Sequence, residues 1–300
     1  MNVGSTPVKP TSTHIDLRQA INNLDALPAM PVIAQKLLAL QMGTEESERT
    51  MLKLIEQDPQ MSAKIIGLAN TAMIASTRKA STVKDAAMLL GIVRVYSVSI
   101  GIAIMSLMNK VHLRWFNMQD MWLHSFGIAF AMTGITRFMP SDNRPKEDQV
   151  FLAGLLHDIG YLALAFLDPK LSDKLHERLA AAPDHPALAI EKEILELSHD
   201  ELGAALASHW NLPDEIIAVL RYHHAPDEAE AAGAEGQTLA RLVNIAEKLL
   251  PSFGFNEYVS GDVSIKEWKA LGIDPARAEE IKGNVAEQAD HAMKFASTFV

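Results

Sequence analysis

The residue types best suited to chemistry are an imidazole and a carboxylate that lie side by side in an apolar segment. His157 and Asp158 are the only ionisable side chains in the run 151–160. An unpaired charge buried there would cost several kcal/mol through desolvation. If a helix ends at Gly160, both side chains of its last turn can reach one centre. One interpretation is that they bind a borderline divalent metal, with Asp158 able to bridge two ions. The other is that His157 is buried and neutral and that the Asp158 carboxylate orients it by a hydrogen bond.

Two further pairs of polar side chains each share a helix face. Asp120 and His124 are one helical turn apart. Asn244 and Glu247 interrupt the apolar side chains of the segment 239–250. An isolated Asp/His pair at this spacing is commonly a surface salt bridge. Asp120 and His124 therefore indicate a metal site only together with the other histidines and carboxylates.

Three more histidines stand at predicted helix ends. His199 follows Ser198, which fits a capping box with Glu201, so His199 lies in the first turn of its helix. His223 and His224 close another helix, where the partial negative charge of the helix end favours a cation. Taken alone, such a pair of histidines is commonly exposed to solvent.

The composition restricts which chemistry these residues could perform. The 300 residues include no cysteine, which excludes disulfides, thiolate nucleophiles, iron–sulfur clusters and cysteine zinc sites. Metal binding would therefore have to use carboxylates and some of the 11 histidines. With 27 basic and 37 acidic residues, the formal charge is −10, which disfavours nucleic acid as the main ligand.

The elements that must position these residues are helices. In the first part of the chain, Pro31 can begin one helix, Thr44 can cap a second and Asp58 a third. Residues 83–108 predict a long buried helix or a helix pair. The apolar run 95–108 is shorter than the roughly 18 to 20 residues that span a bilayer, so we interpret it as part of a core helix.

The second part of the chain continues the helical pattern. No segment alternates apolar and polar residues as a half-buried strand would. A loop rich in Pro, Asp and Asn lies at 140–146, and an acidic stretch rich in Ala and Gly lies at 225–236. The predicted helices are 118–139, 148–159, 186–197, 199–210, 213–223, 237–250 and 275–297. The sequence thus predicts an all-α protein.

The order of these residues resembles the HD superfamily of metal-dependent phosphohydrolases. The matching positions are, in chain order, His124, His157, Asp158, His199, His223, His224 and an acidic residue within 244–247. Segments of the first part narrow the resemblance to the HDOD domain, the HD-related output domain of bacterial signalling proteins. They are Leu-Pro-Ala-Met-Pro at 27–31, Leu-Ile-Glu-Gln-Asp-Pro at 54–59, Leu-Ala-Asn-Thr-Ala at 68–72 and Ala-Ala-Met-Leu-Leu-Gly at 86–91, joined by residues 201–224.

This resemblance covers roughly residues 20–250 and implies a multi-helix, HD-like bundle with an N-terminal helical subdomain packed against it. We expect a disordered lead at 1–13, the N-terminal subdomain at 14–115 and the HD-like metal-binding subdomain at 116–250. A C-terminal helical extension at 251–300 would either cover the site or pack on the first subdomain. Residues 1–13 have no apolar signal segment, so we expect the protein in the cytoplasm.

The HD-GYP phosphodiesterases, relatives that hydrolyse cyclic di-GMP, imply a metal-ligand set for this chain. Carried over residue by residue, the set is Asp120, His124, His157, Asp158, His199, His223, His224 and Glu247. Glu247 stands where an aspartate is expected and is one methylene longer. Two departures affect the substrate contacts. In the active enzymes a lysine directly follows the His-Asp-Ile-Gly run, which is 157–160 here, and this chain has Tyr161 in its place. Ala225 and Pro226 stand where those enzymes have the Gly-Tyr-Pro signature.

Five imidazoles and three carboxylates would suit one or two divalent transition metal ions, whether Fe, Mn, Ni, Co or Zn. Such a centre could attract a phosphate and activate water, with Asp158 as metal bridge and candidate catalytic residue. Two functions are therefore predicted. One is a signalling module that binds metal and acts through protein contacts. The other is a phosphodiesterase or phosphomonoesterase acting on a nucleotide or cyclic dinucleotide. We expect a signalling protein as partner, a phosphate-containing small molecule if the chain is an enzyme, and neither membrane nor nucleic acid.

Six histidines fall outside the ordered set and are expected at the surface or at helix caps. They are His14, His112, His176, His185, His209 and His291.

Overall fold

A computed structural model of the protein describes residues 16–22, 26–70, 79–107, 111, 113–251, 253, 255 and 261–296. All regular secondary structure within these ranges is helical, which confirms the all-α prediction. The first six helices are α1 (Leu17–Asn22), α2 (Val32–Leu38), α3 (Glu45–Glu56), α4 (Pro59–Ala69), α5 (Val83–Leu90) and α6 (Ile92–Met105). The lead at 1–13, His14 and His112 lie outside the described residues.

The helices that follow form the second part of the chain. They are α7 (Met118–Thr136), α8 (Glu147–Leu156), α9 (Ile159–Leu167), α10 (Pro169–Ala180), α11 (Ala187–Leu195), α12 (His199–His209), α13 (Asp214–Tyr222), α14 (Pro226–Ala231), α15 (Gln237–Leu249), α16 (Ile265–Ala270) and α17 (Ala278–Ala296). The sequence placed no separate helix at α1, α9, α10, α14 or α16. The acidic stretch 225–236 was therefore interpreted incompletely, because Pro226 and two acidic residues behind it begin α14.

Side-chain caps fix where two of the early helices begin. The Thr44 side chain accepts a hydrogen bond from the backbone N–H of Ser47 at 3.2 Å at the start of α3. Asp58 accepts from the N–H groups of Gln60 and Met61, at 2.9 and 3.0 Å, at the start of α4. Each cap satisfies backbone donors that have no partner inside the helix, which confirms both predicted starts.

The described part of the segment predicted at 83–108 forms a helix pair rather than one helix. The helices α5 and α6 meet at Gly91, whose φ of 89° lies in the left-handed region that favours glycine. Their axes bend by 118° at this break. The residues of α6 from Val95 to Ile104 are all buried, and α6 packs against α2 and α8.

The apolar segment that contains His157 and Asp158 does not end at Gly160, contrary to the sequence analysis. α8 ends at Leu156, His157 is its C-cap residue, Asp158 precedes α9, and Gly160 lies in the first turn of α9. The chain continues because residues 159–167 are apolar and form a second buried helix. Gly160 instead allows close packing: a Cβ there would lie 1.9 Å from the His199 carbonyl oxygen of α12.

The two parts of the chain share one apolar core. Buried side chains form a continuous cluster from α1 to α17, and α6 of the first part contacts α8 of the second. The indole Nε1 of Trp210 donates a hydrogen bond of 2.7 Å to the carbonyl of Pro28. The N-terminal helices are therefore packed against the HD-like bundle, as expected. The domain boundaries at 13, 115 and 250 stay predictions.

The C-terminal extension packs mainly on the second part of the chain. α17 lies against α7, where Gly134 leaves room for the side chains of Asn284 and Gln288, and it also contacts α15. The sequence left open whether the extension covers the site or packs on the first subdomain; α17 lies on α7, whereas Phe255 of the extension packs 5.3 Å from His124.

Among the described residues, one continuous helical segment, Glu147–Leu167, is long and apolar enough to cross a membrane. It spans 21 residues and comprises α8 and α9, and its most apolar window of 18 residues has a mean hydropathy of 1.9. The bent pair α5 and α6 passes the same test only if counted as one span. Because 89% of the apolar window in Glu147–Leu167 is buried inside the fold, α8 and α9 are core helices.

Candidate metal centre

Two groups of potential metal ligands come together inside the bundle. We call His124, His157 and Asp158 the Asp triad, and His199, His223 and His224 the His triad. Within each triad, one ligand atom from every residue lies within 4.8 Å of the others. All six side chains are buried except that of His224, which is partly exposed.

Helix ends bring most of these side chains to one place. His124 projects from the second turn of α7, whereas His157 and Asp158 occupy the junction of α8 and α9. His199 is the first residue of α12, and His223 is the C-cap residue of α13. The Glu201 carboxylate accepts a hydrogen bond of 3.0 Å from the Ser198 N–H and so fixes the start of α12.

Asp158 lies between the two triads. Its Oδ2 is 3.0 Å from His157 Nε2 and 3.3 Å from His124 Nε2. Its Oδ1 is 3.4 Å from His199 Nε2 and 3.6 Å from His223 Nε2. One carboxylate oxygen thus faces each triad, which is the arrangement of a bridging ligand.

Glu247 of α15 contacts both triads from another side. Its Oε1 is 3.6 Å from His157 Nε2, and its Oε2 is 3.8 Å from His224 Nδ1. The extra methylene relative to aspartate therefore does not hold this carboxylate away from the cluster. Asn244, one turn earlier on the same helix, lines a neighbouring cavity.

Asp120, like Glu247, is a predicted ligand that belongs to neither triad. It lies half-buried on the first turn of α7, one turn before His124. Burial raises the pKa of its carboxyl above the usual value. The sequence placed Asp120 and His124 on one face correctly, but only His124 belongs to a triad.

The electrostatics of the cluster favour charged Asp158 and neutral His223. Burial alone would raise the pKa of Asp158, but the imidazoles of His157 and His124 hold it well below its usual value. Burial and the neighbouring imidazoles of His224 and His199 hold the pKa of His223 well below its usual value. A deprotonated carboxylate and a neutral imidazole are the forms that bind metal.

Backbone carbonyls fix the ring orientation of two ligands. His157 Nδ1 lies 2.8 Å from the carbonyl oxygen of Gly154, and His223 Nδ1 lies 3.1 Å from that of Val219. A carbonyl only accepts, so each Nδ1 carries a proton, and in the neutral form of each ring that binds metal Nε2 presents its lone pair. Both Nε2 atoms face Asp158.

Glu191 of α11 is a residue of the site that the sequence analysis missed. Its carboxylate accepts from the backbone N–H of His199 at 2.8 Å and lies 2.8 Å from His199 Nδ1. It also accepts a hydrogen bond of 2.5 Å from the Tyr161 hydroxyl. One signal was present in the sequence: Glu191 shares a helix face with the apolar residues Ala187 and Leu195, which predicts burial.

Aromatic side chains enclose the cluster on the side of α9. The ring of Tyr161 stacks on His199 with centroids 4.3 Å apart, and Phe255 lies 5.3 Å from His124. His176 packs between Tyr161 and Phe116 and is buried, so the expectation of a surface or capping position was wrong. His176 Nδ1 donates to the Ser172 carbonyl at 2.8 Å, which satisfies this buried ring nitrogen.

His185 is exposed and His209 is half-buried in the last turn of α12, as expected for histidines outside the set. The side chain of His291 is outside the described part of the structure.

The donor set fits divalent transition metals. Imidazole nitrogens with a few carboxylate oxygens suit Zn, Fe, Co or Ni, and a bridging carboxylate suits two ions. Both oxygens of Asp158 are buried, and no well-aligned hydrogen bond reaches either of them. A buried anion of this kind calls for a compensating cation, which bound metal would supply.

A cavity of about 500 Å³ adjoins the His triad. Its lining includes His224 together with Arg241, Lys248 and Lys266. Each of these three cations is paired. Arg241 binds Asp227 at 2.9 Å and Glu230 at 2.5 Å, whereas Lys248 binds Glu267 at 2.5 Å and Lys266 binds Asp227 at 2.7 Å. The cavity wall therefore carries balanced rather than free positive charge.

The all-helical fold and a buried cluster of histidines and carboxylates define the class of protein as HD-like. The chain belongs to the HDOD family, because the family model of the HDOD domain matches residues 27–226. A protein of Treponema pallidum (strain Nichols) is 25% identical over 215 residues, covering 68% of this chain and 40% of the relative. The chain thus spans less than half the length of this curated relative.

Solved structures share the fold. One from Marinobacter aquaeolei VT8, provisionally named a signal transduction protein, has a TM-score of 0.80 at 23% identity, covering 94% of this chain and 64% of its own. One from Shewanella amazonensis SB2B, provisionally named a phosphohydrolase, has a TM-score of 0.70 at 21% identity over 94% and 98% of the two chains. An HDOD domain protein of unknown function from Geobacter sulfurreducens has a TM-score of 0.70 at 22% identity over 91% and 99%.

Proposed function

We propose that this chain is an HDOD regulatory module that binds one or two divalent transition metal ions and acts through contacts with a signalling protein. His124, His157 and Asp158 would hold one ion, and the His triad would hold the second, with Asp158 and Glu247 shared between them. Asp120 is proposed as a ligand only if it turns toward His124. The ions would supply positive charge that can attract a phosphate and acidify water.

The observation that carries the choice of a module is the position of Tyr161. In the active enzymes that the chain resembles, a lysine at this position is available to a phosphate. Here the side chain is fully buried, its hydroxyl donates to Glu191 and its ring stacks on His199. The position therefore supports a metal ligand instead of offering a cation to substrate. The cations that line the adjoining cavity are already ion-paired, which also favours a regulatory module over an enzyme.

A metal-dependent phosphohydrolase acting on a nucleotide or cyclic dinucleotide is the second candidate. It is favoured by the cavity of about 500 Å³, which His224 lines beside the cluster. In that case Asp158 would hold the reacting centre together as a shared ligand, and Glu247 would support it from α15. A substrate phosphate would have to compete with Asp227 and Glu230 for Arg241.

The partner and the location belong to the same proposal. An acidic chain of formal charge −10 favours a protein partner over nucleic acid. The burial of α8 and α9 supports action away from a membrane, and we propose the cytoplasm. The match covers only 40% of the Treponema protein, so this proposal does not extend to activities that the rest of that protein supplies.

Metal analysis combined with a generic phosphodiesterase assay tests the proposal. The purified full chain is analysed for bound metal and assayed with bis(p-nitrophenyl) phosphate, alongside Asp158→Ala and the control His185→Ala at an exposed histidine. We expect bound metal in the wild type and the control, loss of metal in Asp158→Ala, and no turnover. Metal-dependent turnover that Asp158→Ala abolishes would establish the enzyme instead. Absence of metal after loading with each candidate ion would refute the site.

A further inference from the structure

Glu191 is a fully buried carboxylate that contacts the cluster through His199. Three hydrogen bonds converge on it: from the His199 backbone N–H, from His199 Nδ1 and from the Tyr161 hydroxyl. Its Oε1 and Oε2 lie 2.8 and 2.9 Å from His199 Nδ1, so both oxygens face the ring. The backbone N–H can only donate, so Oε2 is an acceptor, and the Tyr161 hydroxyl donates to Oε1, so both oxygens accept as in an ionised carboxylate.

This arrangement determines which nitrogen of His199 faces the cluster. A proton on Nδ1 is held by Glu191, so Nε2 presents its lone pair. His199 Nε2 lies 3.2 Å from both His223 Nε2 and His224 Nε2, and 3.4 Å from Asp158 Oδ1. The anion behind the ring also makes His199 a stronger electron donor, as a carboxylate does behind many metal-binding histidines.

The two triads differ in whether a carboxylate lies behind one of their histidines. In the Asp triad, His157 is oriented by the neutral carbonyl of Gly154, and the triad has Asp158 as its own carboxylate. The His triad consists of three imidazole rings and shares its carboxylates with the other triad. Its additional negative charge comes from Glu191, on the far side of His199.

We propose that Glu191 is a positioning residue that selectively strengthens metal binding at the His triad, with Tyr161 as the group that orients it. This inference rests on the proposed function, because it requires that the cluster binds metal. It also gives Tyr161 a role in place of a phosphate-binding lysine. The tyrosine hydroxyl fixes Glu191, and the tyrosine ring covers His199.

Titration of the full-length apoprotein with Zn²⁺, followed by calorimetry, measures the two triads separately. Glu191→Gln keeps the shape of the side chain and removes its charge. The matched control is Glu193→Gln, at an exposed position of the same helix. We expect Glu191→Gln to weaken one of two binding steps by about 10-fold to 100-fold and to leave the other unchanged. Glu193→Gln is expected to leave both steps unchanged.

Double variants show which triad is affected. If Glu191 acts on the His triad, Glu191→Gln has no further effect in a His224→Ala background but weakens the remaining step in a His124→Ala background. A general structural role would weaken both steps equally and would overturn the proposal. So would two unchanged steps in Glu191→Gln. Failure of the wild type to bind Zn²⁺ at all would refute the proposed metal site itself, which is a different result.

Tyr161→Phe keeps the inference testable if Glu191→Gln does not fold, as judged by circular dichroism. It removes only the hydroxyl that donates to Glu191 and keeps the ring on His199. We expect a weakening of a few-fold, confined to the binding step that His224→Ala removes. An unchanged affinity at the His triad in Tyr161→Phe, with Glu191→Gln unfolded, would count against the proposal.

Discussion

His176 is a buried imidazole beside the cluster, and its environment makes it sensitive to acid. Burial lowers its pKa to about 4, although Ser172, Glu191 and Asp173 oppose this shift. In the unfolded chain the same group titrates near 6.5. As the pH falls between these values, the unfolded chain takes up a proton that the folded protein does not, so the folded state loses stability.

Replacing His176 by glutamine should remove this part of the acid sensitivity. Between pH 7 and pH 5, the His176 contribution to the free energy of unfolding should fall by about 2 kcal/mol in the metal-free wild type. His176→Gln should lack this loss, whatever its stability at pH 7. Urea unfolding with a chelator at both pH values provides the measurement, and His185→Gln is the exposed control. Equal losses in the wild type and His176→Gln would show that His176 does not control the effect.

The junction of α9 and α12 determines where His199 stands relative to Asp158. Gly160 and Gly203 allow the two helices to approach closely, with the Gly160 backbone against the His199 carbonyl. A side chain at Gly160 cannot be accommodated by a rotamer change, because the opposing atoms belong to the backbone of α12. The geometry of the candidate metal centre therefore depends on the contact between α9, which begins beside Asp158, and α12, which carries His199.

Gly160→Ala should destabilise the protein and disturb the cluster together. Its Cβ would lie 1.9 Å from the His199 oxygen, so we expect a loss of about 3 kcal/mol or more in the free energy of unfolding. Metal content should fall in the same variant. Gly67→Ala in α4, where a Cβ meets nothing within 4 Å, should instead stabilise by up to ~1 kcal/mol. Thermal unfolding and metal analysis of both variants would test this, and normal metal binding by folded Gly160→Ala would contradict it.

Across the whole molecule, the continuous core couples the C-terminal helix to the helices of the cluster. α17 packs along α7, which carries His124, and its Ile281 and Val285 are fully buried. The N-terminal helices join the same core through α6. Unfolding of the extension should therefore not be separable from unfolding of the bundle.

Ile281→Ala tests this coupling. We expect a loss of about 2 to 5 kcal/mol in a single cooperative transition, because the substitution leaves a cavity in the shared core. Ile265→Ala, the same substitution at a residue that is 63% exposed, should change stability by no more than about 0.5 kcal/mol. Denaturant unfolding followed by both fluorescence and circular dichroism would reveal two transitions if the C-terminal helix unfolds separately.

The sequence by itself determined the helical class, the caps at Thr44 and Asp58, and the order of the histidines that assemble into the triads. These features depend on neighbouring residues: a cap is a side chain beside its own helix, and the ligand series is a pattern of residue types along the chain. The family followed from the same local segments, and the family model matches residues 27–226.

Only the tertiary structure decided how those residues are used. It placed Asp158 between the triads, left Asp120 outside them, buried His176 and put Glu191 behind His199. It also showed Gly160 as a helix-packing residue rather than a helix end. Each of these depends on contacts between helices far apart in the sequence. Burial and electrostatic energies at such contacts are set by the neighbouring helices, so no spacing along the chain could fix them.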